Sequence, residues 1–219
     1  MCNPNIEHKF TGGYDYNPGN YEKYMSKNPL KKIMVQKLNE KILDAVKSLS
    51  QSNDKILDAG CGEGFISSIL HANLKTAVVT GLEITHEAVL KARELNPDIE
   101  FLQGSVYEVP FDDESFDISV CTEVLEHLES PEKAIKELLR VSRKAVIFTV
   151  PNEPWFCMGN LLSLKNVYRL GNPIDHIQHW TYNQFVKYMR PLVSGRWEMV
   201  SARSFPWTMV MGVYNKLCK

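Results

Sequence analysis

Apolar positions recur at spacings of three and four from Val35 through Leu38, Ile42 and Val46 to Leu49, which predicts one amphipathic helix. Beyond it the period changes. Lys55-Ile-Leu-Asp-Ala59 reads as a first strand, Phe65 to about His71 as a helix, and valine-rich Thr76 to Leu82 as a second strand. Thr85 with Glu87 marks the next helix start, a cap residue followed by an acid that suits the helix dipole. Ile99 to Gln103 and Phe116 to Cys121 are the third and fourth strands. Ser130-Pro131-Glu132 opens a helix whose buried stripe is Ala134, Ile135, Leu138 and Leu139. Ala145 to Val150 is an unbroken apolar run, as a strand covered on both faces requires. This alternation predicts an α/β fold with a doubly wound parallel sheet and helices on both faces.

Two stretches break the pattern. Residues 1–29 are rich in turn signals (Gly12-Gly13, Asn17-Pro18-Gly19, Asn28-Pro29) and hold four tyrosines, Tyr14, Tyr16, Tyr21 and Tyr24. Residues 151–180 mix prolines, glycines and aromatics. Thr181-x-x-Gln184 then has the form of a capping box opening a helix to about Met189. Two strand-like runs follow, Trp197 to Ser204 and Trp207 to Tyr214, with only Phe205 and Pro206 between them. So short a link demands an antiparallel pair, because a parallel crossover needs about a dozen residues.

Composition narrows the partners. The 219 residues carry 25 Lys+Arg against 26 Asp+Glu, so no basic excess points to nucleic acid. The five cysteines are odd in number and scattered without C-x-x-C spacing. That argues against a disulfide framework and a zinc site; no metal is expected, and a reducing, cytoplasmic setting fits. The N-terminus is polar, and no apolar run approaches the roughly 20 residues that span a bilayer. The expected partner is a small molecule, with no membrane span; oligomeric state is left open.

The chemistry concentrates after the first strand. Asp58-Ala-Gly-Cys-Gly-Glu-Gly64 places a glycine loop between a strand and a helix, where backbone N–H groups approach a ligand. Glu83 ends the second strand, placed to accept hydrogen bonds from ribose hydroxyls. A dinucleotide loop is G-x-G-x-x-G, whereas Gly60, Gly62 and Gly64 give G-x-G-x-G. Asp58 before the loop suits a cationic ligand better than a pyrophosphate. S-adenosyl-L-methionine carries an ammonium and a sulfonium.

Leu57 to Gly64 resembles motif I of the class I S-adenosylmethionine-dependent methyltransferases. Gly81-Leu-Glu-Ile84, Gln103-Gly-Ser105, Val109 to Asp117 and Cys121-Thr-Glu-Val-Leu-Glu-His127 are similar to that family's later motifs, in order. The tail around Gly171 to Trp180 and Pro206 to Met209 is similar to a type 11-like, small-molecule subset. The resemblance implies a Rossmann-like seven-stranded sheet of order 3-2-1-4-5-7-6 with strand seven antiparallel. It implies one methyltransferase domain over 1–219: a lid and helix over 1–50, a cofactor-binding core over 54–150, an inserted substrate cover over 151–180, and a C-terminal helix and strand pair over 181–219. It also implies roles. Asp58, Gly60, Cys61, Gly62 and Gly64 would line the methionine and ribose, Glu83 would take the ribose hydroxyls, and Ile84 would pack on adenine. Gly104, Ser105 and Val106 would sit at the adenine edge, with Ser105 where many relatives have aspartate. Thr122 and Glu123 would floor the cofactor site.

Methyl transfer from a sulfonium rests on alignment and exclusion of water, and a base is needed only for an acceptor that holds a proton. His127, four residues after Glu123, is expected to share a helical face with it; His176 and His179 lie in the inserted segment. Each is either a catalytic base or a packed, hydrogen-bonded histidine. Tyr21, Tyr24, Trp155 and Phe156 are candidate substrate contacts, and Trp155, Phe156, Leu161, Leu162, Leu164 and Tyr168 either pack the insert down or face an apolar acceptor. The expected activity is methyl transfer to O, N or C of a small molecule. A non-catalytic binder of the same cofactor and a macromolecule methyltransferase are the alternatives.

Overall fold

The computed structural model describes residues 24–25, 27–162, 166–193, 195, 197–204 and 209–217. Helix α1 runs from Pro29 to Leu49 and buries Val35, Leu38, Ile42 and Val46, the stripe read from the sequence. Strand β1 (Lys55–Ala59), helix α2 (Phe65–Asn73), strand β2 (Val78–Glu83), helix α3 (His86–Leu95) and strand β3 (Glu100–Gln103) then alternate. Strand β4 (Phe116–Thr122) leads through a one-turn 3₁₀ helix, Leu125–His127, to helix α4 (Pro131–Val141) and strand β5 (Ser142–Pro151). Helix α5 (Trp155–Leu162) and a short 3₁₀ turn, Val167–Arg169, occupy the insert. Helix α6 (Tyr182–Val193) and strands β6 (Trp197–Ser204) and β7 (Met209–Lys216) complete the order.

The strands form one sheet of order β3-β2-β1-β4-β5-β7-β6. The five strands from β3 to β5 pair in parallel, while β7 is antiparallel to both β5 and β6. This is the predicted topology. The period of two along each strand divides the core between the faces. Leu57 and Phe148 pack on one face with α4 and α6; Ile56 and Ile147 pack on the other with α1, α2 and α3. At the amino ends of β1, β4 and β5, Lys144 pairs with Asp54 at 2.5 Å and Asp117 accepts from the Lys55 amide at 2.9 Å. The carboxyl ends are left for the site.

Boundaries moved in physically readable ways. β2 begins at Val78 rather than Thr76, because the Ala77 amide closes a turn on the Leu74 carbonyl. β5 begins at Ser142, directly after α4, since Ser142 already pairs with Phe116. β7 begins at Met209, opposite Pro151, and runs past Tyr214 to Lys216. The proposed link at Phe205 and Pro206 lies outside the described residues. The capping box forms as read: the Thr181 amide donates to Gln184 Oε1 at 2.9 Å, and the Gln184 amide donates to Thr181 Oγ1 at 3.3 Å.

Candidate functional site

The glycine loop follows β1 and reverses the chain in three left-handed steps, with φ of +73° at Gly60, +53° at Gly62 and +80° at Gly64. At Gly60 a β-carbon would collide with the Val124 side chain, so the loop's contact with the segment after β4 requires glycine. The amides of Gly60 and Cys61 donate to the Leu82 carbonyl at 2.7 and 3.1 Å, tying the loop to β2. Glu83 reinforces that tie. Its Oε2 accepts from the Gly62 amide at 3.0 Å and its Oε1 from the Thr85 amide at 2.9 Å.

Asp58 sits under the loop with no exposed surface. Its Oδ2 accepts from Ser67 Oγ at 2.6 Å, while its buried Oδ1 has no hydrogen-bond partner among the described residues. Burial pushes its carboxyl up to about 6, although the Ser67 hydroxyl opposes the shift. A buried carboxylate with one unmatched oxygen is complementary to a cation. The residues therefore fit a ligand bearing an ammonium and a sulfonium, and Gly60, Gly62 and Gly64 keep the backbone open to it. Cys61, by contrast, has its thiol pushed well up by burial and carries no reactive thiolate.

Thr122 and Glu123 close the floor at the end of β4. Glu123 holds φ of +56°, an uncommon conformation for a residue with a side chain, and its amide donates to the Thr149 carbonyl at 3.1 Å. This overturns the expected helical face shared with His127. The chain is left-handed at Glu123, and the 3₁₀ turn starts only at Leu125.

Asp58, Gly60, Cys61, Thr122 and Glu123 line one cavity of about 30 Å³, with Tyr24 and with Leu38, Asn39 and Ile42 of α1. Tyr24 closes it: its ring stacks on Phe65 at 4.1 Å between centroids and 7° between planes, and its hydroxyl donates to Asn39 Oδ1 at 3.0 Å. Tyr24, read as a substrate contact, thus stands against the cofactor loop; Tyr21 lies outside the described residues. Ile84, Gly104, Ser105 and Val106 gather at the ends of β2 and β3, where the Gly104 amide donates to the Glu83 carbonyl at 2.9 Å. The buried Ser105 hydroxyl accepts from the Tyr107 amide at 3.1 Å, so it caps its own turn. Sequence reasoning missed Asn39, Phe65 and Ser67, because a helix pattern does not record which loop or cover each side chain meets.

The insert is stitched to the 3₁₀ turn after β4. The amides of Ile177 and Gln178 donate to the Glu126 carbonyl at 2.8 and 2.9 Å, and Gln178 Nε2 donates to the Leu128 carbonyl at 3.0 Å. This brings His176 to His127, with ring centroids 4.9 Å apart and edge to face. Phe156 stacks on the other side of His176 at 5.4 Å. His127 Nδ1 lies 2.9 Å from the Asp175 carbonyl; a carbonyl only accepts, so that nitrogen carries the proton. Burial, with His127 beside it, lowers His176 to about 4 and keeps it neutral near pH 7. His179 turns elsewhere, its Nε2 3.2 Å from Asn172 Nδ2 and its Nδ1 3.8 Å from Glu153 Oε1. Among the insert's apolar residues Phe156 packs inward, whereas Trp155, Leu162 and Tyr168 are exposed and Leu164 lies outside the described residues.

Residues 57–150 match the family model described as methyltransferase domain, the segment that carries the motifs. An uncharacterized methyltransferase of Schizosaccharomyces pombe is 36% identical over 104 residues, 42% of this chain and 37% of that one. The ubiquinone biosynthesis O-methyltransferase of Pseudomonas putida is 27% identical over 183 residues, 78% of this chain and 73% of that one. The chain spans 37% to 40% of the length of the first curated relatives it matches. A crystal structure of a protein from Pyrococcus horikoshii has the same fold, with a TM-score of 0.68 at 18% identity over 94% of this chain and all of that one (100%).

Proposed function

We propose that this chain binds S-adenosyl-L-methionine between the glycine loop and α1 and transfers its methyl group to a small-molecule acceptor under the insert. The observation that carries this reading is Asp58, a fully buried carboxyl beneath the glycine-rich loop, one of whose oxygens has no hydrogen-bond partner among the described residues. A cationic cofactor supplies the missing partner. The match over residues 57–150 and the name of the Pseudomonas relative support the same reading.

When bound, the cofactor supplies a methyl group on a positively charged sulfur. The protein's part is placement. Asp58 and the loop amides would hold the methionine end. Glu83, already fixed by two amides, would offer its remaining lone pairs to the ribose hydroxyls. Tyr24 and Phe65 would exclude water from above. Thr122 and Glu123 would set the side from which the acceptor approaches. The exposed apolar residues of the insert suit an acceptor with an apolar body. The balanced charge favours a small molecule over nucleic acid. Among the described residues no helix is long and apolar enough to cross a membrane, and Cys61, Cys121 and Cys157 are free thiols; we read the setting as cytoplasmic.

Calorimetry with S-adenosylmethionine tests the reading directly. Saturable binding is expected, weakened at least about tenfold in Glu83→Ala through loss of the ribose contacts and the loop tie. His179→Ala is expected to bind as the parent does, since that ring points to Glu153. No heat at millimolar cofactor rejects the proposal.

A further inference from the structure

A ligand whose cationic end meets Asp58 on β1 and whose ribose meets Glu83 on β2 carries its base onward, toward the end of β3. Ile84, Gly104, Ser105 and Val106 gather there, and of the four only Ser105 has a polar side chain. That side chain is turned to its own turn. Ser105 is 3% exposed, and its Oγ accepts from the Tyr107 amide at 3.1 Å. The Ser105 carbonyl accepts from the Glu108 amide at 3.2 Å and closes the same turn through the main chain. Neighbouring acceptors each hold a donor already. The Glu83 carbonyl takes the Gly104 amide at 2.9 Å, the Ile84 carbonyl takes Gln103 Nε2 at 3.0 Å, and Gln103 Oε1 lies 3.2 Å from His86 Nδ1.

An adenine base offers a 6-amino group, which donates, and ring nitrogens, which accept. A hydroxyl that already accepts from an amide has its own proton left to give. It suits a ring nitrogen and does not suit an amine. We propose that this chain binds the adenine ring without reading its 6-amino group, so that the site takes purine nucleoside thioethers and sulfoniums that lack the amine almost as well as those that carry it. Ser105 is then the cap of the 105–108 turn, and Ile84 and Val106 supply apolar contact that any purine satisfies. The inference rests on the function proposed above, since it concerns the base of that cofactor.

The energetics follow from what each ligand strands. A site built to pair a donor rejects the analogue without it, because a buried acceptor of the protein is left unmatched. The Ser105 oxygen keeps its Tyr107 partner whichever purine is bound, so loss of the amine strands nothing there.

The test uses the whole chain and calorimetry with two ligands that carry no methyl group to transfer: S-adenosylhomocysteine and its purine analogue without the 6-amino group. The parent is expected to bind the two within about threefold of each other. Ser105→Asp offers one oxygen to the Tyr107 amide and a second, charged one to the amine, so it should prefer the adenine ligand by at least about tenfold. Ser105→Ala removes the cap; its urea midpoint should fall while its affinity for S-adenosylhomocysteine stays within about threefold of the parent's. Circular dichroism checks folding, and the parent comparison needs no variant, so misfolding of either leaves it decisive. A parent preference of about tenfold or more for the amine-bearing ligand overturns the inference. So does a folded Ser105→Asp that is no more selective than the parent. An unchanged urea midpoint in Ser105→Ala overturns the cap. Failure of both ligands to bind the parent rejects the proposed function and this inference with it, whereas binding with strong selectivity for the amine rejects this inference alone.

Discussion

Asp58 is held at the expense of stability. Folding raises its carboxyl from 3.8 to about 6, so between those values the native state keeps a proton that the unfolded chain has released. Stability from this group therefore falls as pH rises through that window. His176 acts in the opposite sense. Its folded value drops from 6.5 to about 4, so the unfolded chain holds the extra proton and stability rises with pH across that range. The two slopes oppose each other in the parent, and a variant separates them. Asp58→Asn keeps an acceptor for Ser67 and removes the charge. It is expected to be about 2–3 kcal/mol more stable than the parent at pH 7 and equal to it below pH 4. Urea melts across that range give the comparison; a difference that does not change with pH rejects the account. The same variant should bind S-adenosylmethionine far more weakly, since the cation's counter-charge is gone.

Two threonines separate what the sequence shows about an element from what packing decides. Thr85 and Thr181 both stand before helices with a matched residue after them, and both helices form. Only Thr181 uses its hydroxyl as a cap. At Thr85 the side chain makes no cap bond, and its amide is taken by Glu83, a residue committed to the loop. Thr181→Ala is thus expected to cost about 1 kcal/mol and Thr85→Ala only a few tenths, as thermal melts would resolve. The same distinction runs through the site. Period and glycine spacing were enough to place β1, the loop and Glu83, because those contacts are local or between neighbouring strands. The Glu123–His127 pairing was misread because a left-handed residue leaves no trace in spacing. The approach of His176 to His127 was invisible for another reason. It depends on backbone bonds from Ile177 and Gln178 to a turn about 50 residues earlier, and backbone atoms carry no sequence signal.

At the scale of the molecule, the parallel strands direct their carboxyl ends toward one edge, where the loop, Glu83 and Glu123 meet. α1 and Tyr24 cover that edge. The cavity beneath them is small, about 30 Å³, so cofactor entry is expected to require movement of Tyr24 or α1. Tyr24 is the obvious latch, since its ring lies on Phe65 and its hydroxyl is tied to α1 through Asn39. A closed majority state lowers apparent affinity by the fraction of open molecules and slows entry in proportion. Tyr24→Ala removes both ties while leaving the loop, Asp58 and Glu83 in place. Stopped-flow binding of S-adenosylmethionine should then show entry faster by about tenfold, with exit accelerated at least as much because the bound cofactor loses its cover. Entry unchanged with exit alone accelerated means that Tyr24 is only a contact to the bound cofactor. In that case the opening must be sought in α1 itself, where Leu38 and Ile42 meet the cavity.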